Sequence, residues 1–317
     1  MSTKSLQKYV HKMEHLRIDK AHGDAPHKPI LLLAVIAMIE GGQMHENKIY
    51  PSPDLAESFM KYWSRITDRR PNIALPFFHL RSDGFWHLHA NAGYEKALEV
   101  TDRIKAISRL REIIAYATLD GDLFVLLTDA HHREIIRQSL IRVYFPDLKN
   151  EIESLIAEEQ QIGEYKRLLI HEVKAPFSPQ KPTAPIQEDT SIRRAGFRQA
   201  IMGLYNYTCA VCRLHIVTMD GESATDAAHI IPFHISQNDD LRNGISFCKL
   251  HHWAFDKGLI SLSETYKVIV SLLMSDRRPT EWMLTELRDK SILLPEHNQL
   301  YPAQDALEWH RKKVLRK

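Results

Sequence analysis

The feature that most limits what this chain can fold into is a pair of short motifs, Cys209-Ala-Val-Cys212 and Cys248-Lys-Leu-His251. Each offers two metal-ligating side chains three residues apart, a spacing that lets both reach one ion from a knuckle or a helix start. Together they make a Cys3His set, which suits a tetrahedral structural zinc ion, and they use all three cysteines of the chain. A single C-x-x-C could be a redox couple or a coincidence, and buried free thiols are the plain alternative. The second pair at the same spacing favours zinc, with Cys209, Cys212, Cys248 and His251 as ligands. Three cysteines do not build a disulfide framework and fit a reducing compartment.

The chain has 317 residues, 44% hydrophobic and 26% charged, which suits two packed domains and excludes wholesale disorder. A net charge of +2 neither demands nor excludes a nucleic-acid partner, since a basic face can hide in a neutral average. The first twenty residues have no apolar core of a signal peptide, and the longest apolar run, Pro29 to Ile39, is far short of the about 20 residues a membrane helix needs. A cytoplasmic protein with no membrane partner is expected.

Four prolines among polar residues between Val173 and Ser191 read as a semi-rigid linker. The expected division is a domain over 1–165, a linker over 166–191 and a second domain over 192–317. The fold class is α+β, a mainly helical first domain with a small β-hairpin followed by a zinc-containing second domain. Helical spacing marks Ile30–Ile39, Pro53–Ile66, Arg103–Tyr116, Arg133–Phe145 and Glu151–Leu169. The stretch PFFHLRSDGFWHLHA reads as two strands around Ser82-Asp83-Gly84. Further on, Arg193–Tyr205 reads as a helix, ESATDAAHIIPF as a strand and loop, SFCKLHHWAFDKG as a helix, LISLSETYKVIVS as a hairpin, and the C-terminus as a basic helix.

If His251 serves zinc, its neighbour His252 is free for other work. On a helix His252 and Asp256 share a face, so both can reach one divalent cation, Mg2+ or Mn2+. Upstream stand His229, in Asp-Ala-Ala-His-Ile-Ile-Pro, and Asn243, in Arg-Asn-Gly-Ile. A lone His229 would be read as a satisfied core histidine. The order His229, Asn243, His252 around a Cys3His knuckle instead resembles the HNH nucleases of the ββα-metal fold, over residues 193–275. The resemblance implies that His229 is the general base toward water, that Asn243 orients the loop bearing it, and that His252 and Asp256 hold the catalytic cation. Many such sequences carry Asp or His just before the base, where this chain has Ala228. Asp226 could compensate, but strand alternation puts it on the face of Ala228. Arg193, Arg194 and Arg198, and Arg311, Lys312, Lys313, Arg316 and Lys317 at the end, are candidates to neutralise flanking phosphates or simply solvated faces.

In the first half, His27-Lys28-Pro29 with its leucine run and Arg70-Pro71 through Phe85-Trp86 resemble the sulfur-binding domain that precedes the HNH domain in McrA-like type IV restriction endonucleases. That resemblance implies double-stranded DNA, phosphorothioated, as partner. It implies a sulfur cup at Pro76 flanked by Leu75, Phe77 and His79, with Lys28 clamping the phosphate and Arg81, Arg65, Arg69 and Arg70 holding the backbone or reading bases. Leu75 stands where family members often carry an aromatic residue. Phe78 and Trp86 read as core.

The expected function is therefore a phosphorothioate-dependent DNA endonuclease that cuts at a variable distance set by the linker. The rivals are a methylcytosine-dependent type IV nuclease, disfavoured by the lack of an aromatic cage, and a catalytically silent zinc-containing DNA reader. Since HNH domains make single-strand cuts, double-strand cleavage would call for a homodimer or two engagements.

Overall fold

The computed structural model describes residues 3–18, 26–179, 189–218, 221–276 and 284–317. It divides into two compact units, one of Met1–Gln160 with Thr218–Glu222 and one of Gln161–Val217 with Ser223–Lys317. Among the described residues no helix is long and apolar enough to cross a membrane.

The first unit holds α1 (Thr3–Glu14), α2 (His27–Glu40), α3 (Pro53–Ile66), α4 (Ala74–His79), β1 (Trp86–Ala90), α5 (Glu95–Val100), α6 (Ile107–Ile113), β2 (Ile114–Leu119), α7 (Gly121–Thr128), α8 (Ala130–Tyr144) and the start of α9 (Lys149–Glu172). Its axis is α2, apolar on every side and therefore buried on every side, from Lys28 to Ile36 without a break. Pro29 lies in the first turn, where its missing N–H costs nothing. Ser52 caps α3, its hydroxyl accepting from the Leu55 amide at 3.2 Å, with Pro53 at the first helical position.

Residues 74–90 depart from the expected hairpin. Ala74–His79 is helical, followed by a 3-10 turn over Leu80–Asp83, and only then does β1 begin. The Asn72 side chain explains the change, accepting from the amides of Ala74 at 3.0 Å and Leu75 at 3.3 Å, with Pro76 still inside the first turn. Phe77, Phe78 and Leu80 are all fully buried, which an alternating strand could not achieve for neighbours. The true partner of β1 is β2, antiparallel from Trp86 opposite Leu119 to Ala90 opposite Ile114. The expected helix Arg103–Tyr116 is accordingly shortened to α6, because its last residues join this sheet. Phe78 and Trp86 are core.

The expected linker starts later than residue 166. Helix α9 continues to Glu172, and Tyr165, Leu169 and Val173 pack into the second unit's core. The rest of the linker falls partly on 180–188, outside the described residues.

The second unit continues with α10 (Thr190–Leu204), β3 (Thr225–His229), α11 (Phe233–Ser236), β4 (Gly244–Cys248), α12 (Lys249–Asp256), β5 (Ile260–Leu262), β6 (Val268–Val270) and α13 (Gln304–Lys313). Strands β3 and β4 are antiparallel, Thr225 facing Cys248 and His229 facing Gly244, and α10 and α12 pack on them. The expected helix SFCKLHHWAFDKG begins only at Lys249, its first residues being the end of β4. Gly244 lets α10 pack close on β4, since a Cβ there would lie 2.4 Å from Ile201 Cδ1 and 2.9 Å from Phe197 Cζ and push both side chains aside. Strands β5 and β6 form the expected hairpin.

Helix α13 is anchored by His310, whose ring stacks on Phe255 at 3.6 Å. Its Nε2 donates to the Phe255 carbonyl at 3.1 Å, and its Nδ1 meets the Ser261 hydroxyl at 2.9 Å. Burial lowers His310 to about 4, so the ring is neutral in the folded protein. Between pH 6.5 and 4 the unfolded chain takes up this proton and the folded one does not, so stability falls as pH falls through that window. At roughly 1.4 kcal/mol per pH unit, lowering pH from 7.5 to 5 is expected to cost about 2 kcal/mol at this residue. Denaturant midpoints for the native chain and His310→Gln at both pH values check this, and an equal pH dependence in both would refute it.

Candidate functional site

The knuckle between α10 and β3 carries Cys209 and Cys212, the end of β4 carries Cys248, and the first turn of α12 carries His251. Amide–carbonyl bonds shape the knuckle, Arg213 to Cys209 at 3.0 Å and Cys209 to Leu214 at 2.9 Å, with Arg213 in the left-handed region at φ 64°. The four ligand atoms lie within 4.8 Å of one another. Cys212 Sγ is 3.9 Å from Cys248 Sγ, and His251 Nδ1 is 3.1 Å from Cys248 Sγ and 3.5 Å from Cys209 Sγ. Zinc bonds of ~2.3 Å to sulfur and ~2.0 Å to nitrogen at tetrahedral angles imply edges of ~3.8 Å and ~3.5 Å. The donor set and its spacing therefore fit a zinc ion.

Around His229 the second unit builds a cleft of ≈ 430 Å³, lined among others by Arg194, Phe197, Arg198, Asp226 and Phe233. The ring of His229 lies flat on Phe197, with centroids 3.9 Å apart and planes 6° off parallel. Its Nε2 is 2.7 Å from Asp239 Oδ1. Asp239 is fully buried and also accepts from the Tyr165 hydroxyl at 2.7 Å and from Arg193 at 2.8 and 2.9 Å. Burial alone would raise this carboxyl, but the bonds from His229, Tyr165 and Arg193 hold it below the usual carboxylate range.

Asn243, fully buried, ties down the loop after His229. Its Oδ1 accepts from the Ile231 amide at 2.9 Å, and its Nδ2 donates to the carbonyls of Ile231 at 3.0 Å and Asn238 at 3.1 Å. On α12, His252 Nε2 stands 3.6 Å from Asp256 Oδ2, a separation that two ligands of one cation can adopt. Neither residue lines the cleft at His229.

Two expectations about neighbours change. Arg193 is not a surface cation, because its guanidinium is spent on Asp239 and lies 3.5 Å over the Phe233 ring. Asp226 shares the strand face of Ala228 in the unbroken β3–β4 register, yet it still lines the cleft, with its carboxylate paired to Lys249. Asp239 and Tyr165 had no sequence signal, since Asp239 stands beside another aspartate in an ordinary loop and Tyr165 is one aromatic in a long helix.

In the first unit a cavity of ≈ 680 Å³ brings together Lys28, Leu75, Pro76 and His79 of the expected set. It adds Arg17, Ile18, His27, Ser82, Arg69, Asp102 and Arg103, of which the sequence had singled out only Arg69 and the His27 motif. Lys28 is buried and donates to Asp83 at 2.6 Å and Ser82 at 3.2 Å. Burial and the nearby Lys28, Arg103 and Arg81 lower His79, while burial and Arg69 lower His27, so both rings are neutral at pH 7. Four expected contacts fall outside, Arg65 and Arg70 among them. Phe77 is fully buried edge-on to Trp86, because the helical turn aims it at the core. Arg81 donates to the Thr101 carbonyl at 2.9 Å, stacks on Phe78, and borders a different hollow with Trp86 and His89.

A Cys3His knuckle that fits a metal ion, a histidine on β3 bound to a buried carboxylate, an asparagine just before β4, and the helix that follows β4 make a ββα arrangement. Residues 209–263 match the HNH endonuclease family, and residues 6–157 match the ScoMcrA-like DNA sulfur-binding domain. The chain thus carries a DNA sulfur-binding domain followed by an HNH endonuclease domain. Among solved structures it is similar to a modification-dependent TagI restriction endonuclease, at 22% identity over 40% of each chain with a TM-score of 0.30. It is also similar to the sulfur-binding domain of SprMcrA complexed with phosphorothioated DNA, at 20% identity over 50% of this chain and 95% of that one with a TM-score of 0.38. No curated protein matches the chain.

Proposed function

We propose that this protein is a modification-dependent DNA endonuclease, in which the first unit binds phosphorothioated duplex DNA and the second hydrolyses a phosphodiester bond nearby. The observation that carries the reading is that one chain holds both matched domains, each with a cleft that includes part of the expected set, His229 in one and Lys28, Leu75, Pro76 and His79 in the other.

In the first unit, the apolar surfaces of Pro76, Leu75 and Ile18 sit among Lys28, Arg17, Arg69 and Arg103. Sulfur is larger and less hydrated than oxygen, so an apolar wall costs it little, whereas a phosphate oxygen placed there loses hydrogen bonds to water. The cations neutralise the phosphate in either case and supply affinity without selectivity. Lys28 gives two of its three N–H donors to Ser82 and Asp83 and can offer the third. The neutral rings of His27 and His79 fit a soft, weakly hydrated atom.

In the second unit, His229 is the general base that takes the proton of the attacking water, and Asn243 keeps its loop in place. Cys209, Cys212, Cys248 and His251 would hold a structural zinc ion. His252 and Asp256 would hold a divalent cation, Mg2+ or Mn2+, whose charge favours the pentacovalent transition state and the leaving oxygen. Cutting both strands would take two such sites, from a homodimer or from successive engagements.

Two duplexes of one sequence, one carrying an Rp phosphorothioate at a natural modification site, test this with manganese present. Cutting confined to the modified duplex is the expected result. Equal cutting of both would overturn the sulfur reading, and selective binding without cutting would overturn the nuclease reading. Leu75→Asn, which puts an amide into the apolar wall, is expected to reduce the preference for the modified duplex about tenfold by competition binding. An unchanged preference would remove Leu75 from the cup.

A further inference from the structure

We infer that Asp239 is a positioning carboxylate for His229, setting which ring nitrogen carries the proton and stabilising the imidazolium that forms. The inference rests on the reading of His229 as the general base.

An ionised carboxylate can only accept a hydrogen bond. The 2.7 Å contact between Asp239 Oδ1 and His229 Nε2 therefore assigns the ring proton to Nε2 and leaves the lone pair on Nδ1. The parallel stack on Phe197 at 3.9 Å holds the ring plane, so this bond also selects the direction in which Nδ1 points. When Nδ1 accepts the proton of water, the ring becomes a cation and the bond to Asp239 becomes an ion pair in a place that excludes solvent. Asp239 remains ionised throughout, and the proton stays on His229 until the leaving group or solvent takes it.

The construction around the carboxylate supports this role. A fully buried aspartate is costly unless every lone pair is used. Here Tyr165 from α9 and Arg193 from α10 supply donors at 2.7 to 2.9 Å, and His229 from β3 adds its own at 2.7 Å. Three separate elements thus converge on one loop residue. The other charged or titratable groups about the ring are Arg193, Arg194, Arg198, Tyr165, Asp226 and His234. A buried aspartate needed for folding alone would be satisfied by Arg193 and Tyr165 without reaching the histidine read as the base.

Asp239→Asn in the full-length, zinc-loaded protein tests the inference. The expected result is a fall in kcat of about a hundredfold with KM for the duplex within a factor of two. The acidic limb of the kcat profile should move to lower pH, because a ring without its carboxylate is a weaker base. Nitrogen NMR of ring-labelled histidine should report protonated Nε2 and bare Nδ1 at His229 in the native protein, and a loss of that single form in the variant. If Asp239→Asn does not fold, Tyr165→Phe, which removes one donor from Asp239, should keep the proton on Nε2 of His229 while shifting its ring-nitrogen signals. A native protein with the proton on Nδ1, or a folded Asp239→Asn variant with unchanged kcat and pH profile, would overturn the inference. A protein that binds but cuts no duplex would overturn the nuclease reading instead, and the tautomer measurement would still decide the role of Asp239.

Discussion

Cys209→Ser is expected to lose the fold of the second unit while the first keeps its own. Cys209 is fully buried at the point where the knuckle, β4 and α12 meet, and its sulfur lies 3.5 Å from His251 Nδ1. A serine oxygen is a poor zinc ligand and would leave three donors crowded around an incomplete site. Structural zinc contributes an apparent ~10–16 kcal/mol in small domains, as large as the entire ~5–15 kcal/mol by which a domain is ordinarily stable. The first unit's core, built on α2, shares none of these ligands. Thermal unfolding of the native protein should therefore show two transitions and that of the variant one, with zinc content falling from one ion per chain to near zero. A chelator should reproduce the variant. Retention of one zinc and both transitions in Cys209→Ser would remove the metal assignment.

His229→Ala should reduce cutting of a modified duplex by roughly 10²- to 10⁴-fold, the usual contribution of a general base. Binding to the same duplex should be unchanged, because the cavity proposed to bind sulfur lies in the other unit. The variant should still fold, since Asp239 keeps Tyr165 and Arg193 as donors and so is not left as an unpaired buried charge. Single-turnover cleavage with a parallel binding titration separates the two quantities. Cleavage within threefold of the native rate would exclude His229 as the base. Loss of binding and cleavage together would mean that the substitution had damaged more than the proton transfer.

The two predictions rest on parts of the protein that were legible to very different degrees. The Cys3His set was readable because metal ligands come in short, regularly spaced pairs whose chemistry admits few other uses. His252 and Asp256 were readable as a pair because helical periodicity puts i and i+4 on one face, and they do stand 3.6 Å apart. The helices α2 and α3 were readable from apolar spacing and proline position. In each case the physics is local, acting within a turn or two of chain.

Elsewhere the deciding interactions joined distant residues. Asn72 capping Ala74 made a helix of a stretch whose aromatic content resembled a strand, and pairing with β1 drew Ile114–Leu119 out of an expected helix. Strand pairing is chosen by partners far away in sequence, so a single segment cannot announce it. The cavity of the first unit collected Arg17 and Arg103 from segments with no motif, and it excluded Phe77, which the motif had put forward. Asp239 is the sharpest case. Nothing distinguishes it from Asp240 in the sequence, and only folding brings Tyr165, Arg193 and His229 to it. The amino-acid sequence by itself determined the Cys3His set and the order His229, Asn243, His252. The tertiary structure decided which carboxylate is buried beside His229 and which cations surround the cavity, because burial and long-range pairing exist only once the chain has closed on itself.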